Sequence, residues 1–230
     1  MTYWNKSKVL AMAVASLLSM NEAIADDTLT GKAAEYAEMT PEALAERLIM
    51  EENGIKLDEP VQEGGTVLNR QTQDELQQIC SGEGRAGLTT ETTAQVLALS
   101  KASTQLPEGG IRLGDWRKGE EVARSGYGFR VGHKDDSHEK RDPGGNCYAC
   151  HQMDPEEYTY GSLGPSLKNF GKMRGNSPQT REYLYNVIYS PHTYFPCTHM
   201  PRFGTNGVLT QQQIADVMAY LLDPESPVNK

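Results

Sequence analysis

"GGNCYACHQMDP", residues 144–155, is the stretch on which the reading of the whole chain turns. Two cysteines stand three residues apart and a histidine follows the second. Redox dithiols, halves of zinc sites and covalently attached haem all use such a pair. A structural zinc site takes four ligands, usually from two pairs, and the other cysteines, Cys80 and Cys197, stand singly and far away. A redox dithiol opens a helix that follows a strand, and no strand-like alternation precedes this pair. Haem attachment accounts for every position. Cys147 and Cys150, at i and i+3, can reach both porphyrin vinyl groups as thioethers, and His151 falls beneath the iron as proximal ligand. The expected cofactor is one covalent haem c.

A haem has a second axial side. Downstream candidates are Met153, Met173, Met200, Met218, His192 and His199. Met153 is two residues from His151 and cannot reach the opposite face, and Met218 belongs to the apolar stripe of the last helix. Met200 lies in "CTHMPRFG", an irregular loop between two helices that can cross the distal face. It is the favoured ligand, with His199 as its rival and Met173, in "GKMRG", behind them. In "LGPSL" (163–167), the Pro165 carbonyl is expected to accept the imidazole N–H of His151, a bond that orients the ring and raises its basicity.

The remaining features set the frame. Lys6 and Lys8 precede the apolar run 9–20, and "AIA" follows, the pattern of a secretory signal peptide ending at Ala25. Twelve residues are too few to span a bilayer, and no second long apolar run appears, so a periplasmic protein with no membrane span is expected. The chain has 31 acidic against 22 basic residues, with the charges scattered, which disfavours nucleic acid as a partner. Residues 26–105 read as short helices: one opened by Thr40-Pro41 and stopped at Asn53-Gly54, one over Arg70–Cys80, one over Thr89–Ser103. "LPEGG" (106–110) marks a boundary between this extension and a domain over 106–230. There Asp115 caps a helix to Ser125, a polar loop covers 126–145, and Ser177–Pro191 is helical with Tyr183, Leu184, Val187 and Ile188 on one face. Thr210, Gln213 and Leu209 supply a capping box and staple for the last helix. The class expected is all-α. Haem claims one cysteine pair, so Cys80 and Cys197 are left to form a disulfide in an oxidising compartment.

The stretches "LPEGGIRLGDWRKGEEVA", "GGNCYACHQ", "GSLGPSL", "NVIYSPHTYFPCTHMPRFG" and "GVLTQQQIADVMAYLLDPESPVNK" resemble the X subunits of the periplasmic thiosulfate-oxidising Sox complex, over almost all of 106–230. Residues 26–105 resemble the N-terminal extension of longer members. The resemblance implies a class I cytochrome c fold with Cys147 and Cys150 attaching the haem, His151 as proximal and Met200 as distal ligand. It implies a heterodimer with a SoxA-type monohaem or dihaem cytochrome, which carries the catalytic haem, acting as an L-cysteine S-thiosulfotransferase that joins thiosulfate to a cysteine of a sulfur-carrier protein. This chain would accept the electrons and pass them to a downstream cytochrome, with no catalytic residue of its own. The alternative is a freestanding periplasmic electron shuttle. Phe195 and Phe203, beside the distal loop, are candidates for apolar contact with a partner or for core packing.

Overall fold

The computed structural model describes residues 27–51, 56–82, 87–131 and 141–230, in two compact units divided after Leu57. The signal-peptide segment 1–25 and the stop at Asn53-Gly54 lie outside the described residues. Among those described there are helices and one isolated bridge, Pro60 with Thr66, but no strand. In the first unit α1 (Asp27–Ala37) precedes α2 (Pro41–Glu46), which runs on as a π-turn over Arg47–Glu51. Thr40 caps α2, its hydroxyl accepting from the Ala43 N–H at 3.2 Å, and Pro41 spends its missing N–H where no helical bond is due.

The second unit begins with two short helices where the sequence suggests one. Instead of Arg70–Cys80, there is α3 (Val67–Gln71) and α4 (Glu75–Gly82). The break has a local cause. The Thr72 hydroxyl turns back to the Leu68 carbonyl (2.8 Å), and the Asp74 carboxylate accepts from the Gln77 N–H (2.9 Å), so Asp74 starts a new helix rather than continuing an old one. Next comes α5 (Thr90–Ser103), capped by Thr89. Residues 58–105 share a compact unit with 106–230. Ser100 of α5, fully buried, shares hydrogen bonds with Ser190 (2.6 Å) and Thr193 (2.9 Å), and the Tyr185 hydroxyl donates to the Gln105 carbonyl (2.7 Å).

Helix α6 (Trp116–Arg124), capped by Asp115, crosses the C-terminal helix at close range. Between them lie α7 (Phe170–Arg174) and α8 (Pro178–Tyr189), and the chain closes with α9 (Gln211–Leu222), opened by Thr210 with its reciprocal bond to Gln213. Two glycines permit the α6–α9 crossing. A Cβ on Gly119 would lie 2.0 Å from the Asp216 carbonyl oxygen, and one on Gly114 would lie 1.9 Å from the Asp216 carboxylate. The buried Asp216 carboxylate is satisfied there by the Asp115 N–H (2.8 Å) and Gln212 (2.9 Å). Ile214, Val217, Met218, Leu221 and Leu222 of α9 are all buried, as their spacing leads one to expect. On α8 the buried set is Leu184, Tyr185, Ile188 and Tyr189, with Tyr183 and Val187 only half-buried. The face is rotated because the stacked Tyr185 and Tyr189 rings (centroids 5.6 Å) fill the core while the Tyr185 hydroxyl finds its carbonyl. The described parts of the expected loop, 126–131 and 141–145, contain no helix, although Tyr127 is buried.

Candidate haem site

The Cys147–His151 segment is a tight turn held from both sides. Residues Cys147–Ala149 form one 3₁₀ turn, and the Cys147 carbonyl accepts from the N–H groups of Cys150 (3.1 Å) and His151 (2.9 Å). Upstream, Gly145 and Asn146 donate to the carbonyls of Val122 (2.9 Å) and Ser125 (2.8 Å) at the end of α6. Downstream, the 161–167 loop folds across: Gly161 donates to Tyr148 (2.8 Å), Gly164 to Cys150 (2.9 Å), and Leu167 to Gln152 (2.7 Å). The motif is therefore immobilised by backbone bonds before any cofactor is considered.

His151 Nδ1 lies 2.7 Å from the Pro165 carbonyl oxygen. A carbonyl can only accept, so Nδ1 carries the proton and Nε2 keeps its lone pair. Beside it, Gly164 lies flat against the imidazole, since a Cβ there would be 2.3 Å from Cε1 and 2.6 Å from Nδ1. Sequence reasoning named the proline and passed over this glycine, because its reason for being small is a ring thirteen residues upstream.

One small apolar cavity of about 30 Å³ brings together three of the expected site residues, Cys147, His151 and Met200. Cys147, His151 and Met153 come from the motif, Ile188 from α8, Val217 and Leu221 from α9, and Met200 and Phe203 from the loop between those helices. Cys147 and Cys150 are free thiols, whereas Cys80 and Cys197 form a disulfide across 117 residues. Burial pushes the Cys147 thiol up to about 12, which suits a neutral thiol in an apolar wall and not the low-pKa thiolate of a dithiol oxidoreductase. Of the distal candidates, Met200 lines the cavity half-buried. His199 is exposed, Met173 is 64% exposed, and Met218 is buried in the core. A free thiol, a histidine with an oriented lone pair and a thioether on one apolar cavity, with the second free thiol of Cys150 in the same turn, are the side chains that a covalently attached haem uses.

Residues 144–223 match the family model for cytochrome c. That segment is a cytochrome c domain. With such a domain comes covalently attached haem c on an all-α fold. This cytochrome is 42% identical over 160 residues to a protein of Aquifex aeolicus (strain VF5) described as an uncharacterized lipoprotein, spanning 69% of this chain and 73% of that one. Among solved structures it is similar to a chain of SoxXA from P. pantotrophus, at 20% identity and a TM-score of 0.36, covering 56% of this cytochrome and 91% of that chain. Among the described residues no helix is long and apolar enough to cross a membrane.

The surroundings divide the aromatic residues by role. Phe203 is buried in the cavity wall, while Phe195 is 49% exposed and packs against Tyr194, itself 42% exposed. Tyr148, between the two free cysteines, is buried. Its hydroxyl pairs with that of Tyr220 (2.7 Å), and its ring lies under the Arg124 guanidinium (4.6 Å), which also bonds Glu120 (3.0 Å) and Glu157 (2.7 Å). That cluster fastens the motif to α6 and α9.

Proposed function

We propose that this chain is a periplasmic monohaem cytochrome that accepts electrons within a heterodimer joining thiosulfate to a cysteine of a sulfur-carrier protein. The observation that carries the electron-transfer half is the convergence of Cys147, His151 and Met200 on one apolar cavity. The sulfur-oxidising half rests on the resemblance over residues 106–230 to the X subunits of the Sox complex. A SoxA-type cytochrome is then the partner, and the catalytic haem of the L-cysteine S-thiosulfotransferase is the partner's. The signal-peptide pattern over residues 1–25 supports the compartment.

In this reading Cys147 and Cys150 would hold the haem through thioether bonds, His151 Nε2 and the Met200 sulfur would ligate its iron, and the Pro165 carbonyl would steady the imidazole. When bound, the haem supplies a one-electron ferric/ferrous couple. The chain sets its properties. Met200, a soft neutral sulfur, favours the ferrous state and raises the potential. The bond from His151 to Pro165 increases imidazole basicity and works the other way. Ile188, Val217, Leu221 and Phe203 exclude water, which penalises the extra positive charge of the ferric state. Tyr194 and Phe195 present an apolar patch a few residues before Met200, suited to contact with an electron donor.

The test mixes the purified haem-loaded protein with thiosulfate and a thiol carrier protein, with and without the SoxA-type subunit. The expected result is haem reduction only when that subunit is present. Reduction by thiosulfate alone, or no binding to the subunit, overturns the subunit role and leaves the freestanding shuttle.

A further inference from the structure

Met200 is bracketed. Three residues before it, Cys197 is bonded to Cys80, and two residues after it, the Arg202 guanidinium donates to the Asp74 carboxylate at 2.6 Å. Both remote partners belong to one short element. Asp74 is the capping residue of α4, and Cys80 sits in its last turn. The two anchors differ in chemistry and agree in effect.

The second anchor is the more informative. Arg202 is 5% exposed, and a buried guanidinium is costly unless its charge is matched. Asp74 meets that need with one carboxylate oxygen while the other caps α4 through the Gln77 N–H. Cys197 adopts a left-handed backbone (φ 55°), unusual for a residue with a side chain, so the loop is held in a shape it would not take alone. Residues 58–105 also grip the start of this connection through Ser100, whose hydroxyl meets Ser190 and Thr193.

We infer that α4 is a two-point clamp for the distal loop, with Asp74, Arg202 and the Cys80–Cys197 bridge acting as positioning residues for the Met200 sulfur. The inference rests on Met200 being the distal ligand and adds a purpose for residues 58–105 that a bare electron carrier lacks. An external ligand can reach the iron only when the loop lifts, so its apparent affinity falls in proportion to the open fraction. A tight clamp makes the haem refuse such ligands. A loosened one admits them.

The experiment uses the full-length haem-loaded protein and imidazole as the probe, read by titration in the ferric state together with the far-red sulfur-to-iron band and the reduction potential. Asn caps helices as well as Asp does, so Asp74→Asn preserves α4 while removing the counter-charge of Arg202. It is expected to raise imidazole affinity about tenfold, with Asp74→Glu close to wild type. Cys80→Ser with Cys197→Ser should raise affinity at least as much, and all three changes together more than either. Should the cysteine variant fail to accumulate, Asp74→Asn carries the test alone. Wild-type imidazole affinity and an unchanged potential in Asp74→Asn overturn the clamp, provided that wild type shows the far-red band and Met200→Ala loses it. A wild type without that band, or a Met200→Ala protein that keeps it, overturns the ligand assignment and the clamp with it.

Discussion

Replacing Gly164 with alanine adds one methyl group against the His151 imidazole. Gly164 does not have a positive φ, so alanine suits its backbone and the effect isolates the contact. The new Cβ would begin 2.3 Å from His151 Cε1, 2.6 Å from Nδ1 and 2.7 Å from Nε2, against an ordinary carbon contact of about 3.5 Å or more. Ring or loop must therefore yield by about 1 Å, and the 2.7 Å bond to the Pro165 carbonyl cannot survive such a shift intact. Overpacking costs about 1–3 kcal/mol and the lost hydrogen bond about 0.5–1.5. The sum, about 1.5–4.5 kcal/mol, corresponds to a fall in Tm of roughly 3–18 °C for a domain of this size. A weakened imidazole N–H bond also makes the ligand less basic, so the reduction potential should rise. Chemical and thermal unfolding of the haem-loaded variant, with a redox titration, measure both. Gly82→Ala is the control, because a Cβ there meets nothing within 4 Å. A Gly164→Ala protein as stable as wild type, with unchanged potential, would refute the account of the proximal side.

Further expectations concern other parts of the frame. Gly119→Ala should destabilise by at least about 1–3 kcal/mol in urea unfolding, since its Cβ would meet the Asp216 backbone rather than a side-chain end that can swing away. Burial, followed by the positive charge of Arg202, holds the His192 imidazolium below its ordinary range, with Asp74 and the Phe195 backbone opposing. The unfolded chain then binds the proton first, so the contribution of His192 is complete above about pH 6.5 and is lost as pH falls through that value. His192→Gln should show a shallower loss of urea stability between pH 7.5 and 5 than wild type, and an identical slope would contradict this. Thiol titration of the unfolded, unreduced haem-loaded protein should find no free thiol, because two sulfurs are thioethers and two are bridged. Breaking the Cys80–Cys197 bridge should cost about 4–5 kcal/mol for a loop of 117 residues, a value that unfolding of the double serine variant checks.

What could be read from the sequence was what is local in it. The CxxCH turn, the caps at Thr40, Asp115 and Thr210, and the apolar stripe of α9 each depend on neighbours within four residues. The preference for Met200 over His199 and Met173 as ligand uses the same kind of information, a loop bounded by proline and glycine; the structure places Met200 on the cavity and leaves the other two exposed. What escaped depends on distant partners. Gly119 and Gly164 look like weak points in a helix and a turn until Asp216 and His151 are brought against them. The split between α3 and α4 turned on side-chain hydrogen bonds of Thr72 and Asp74 that no hydrophobic period records. Phe195 and Phe203 have similar sequence surroundings, and only packing separates the exposed one from the buried one.

The crossing of α6 and α9 joins residues about a hundred positions apart, through Gly114 to Ala215 and Asp115 to Asp216, and both free cysteines lie inside the loop it closes. A chain made from its N-terminus presents Cys147 and Cys150 well before α9 exists to cover them. Contacts of such long range are also slow to form once all the residues are present. The architecture thus leaves an interval in which the attachment segment is reachable and the wall behind it is missing. A modifying enzyme that needs an extended CxxCH has its opportunity then, and the arrival of the last helix ends it.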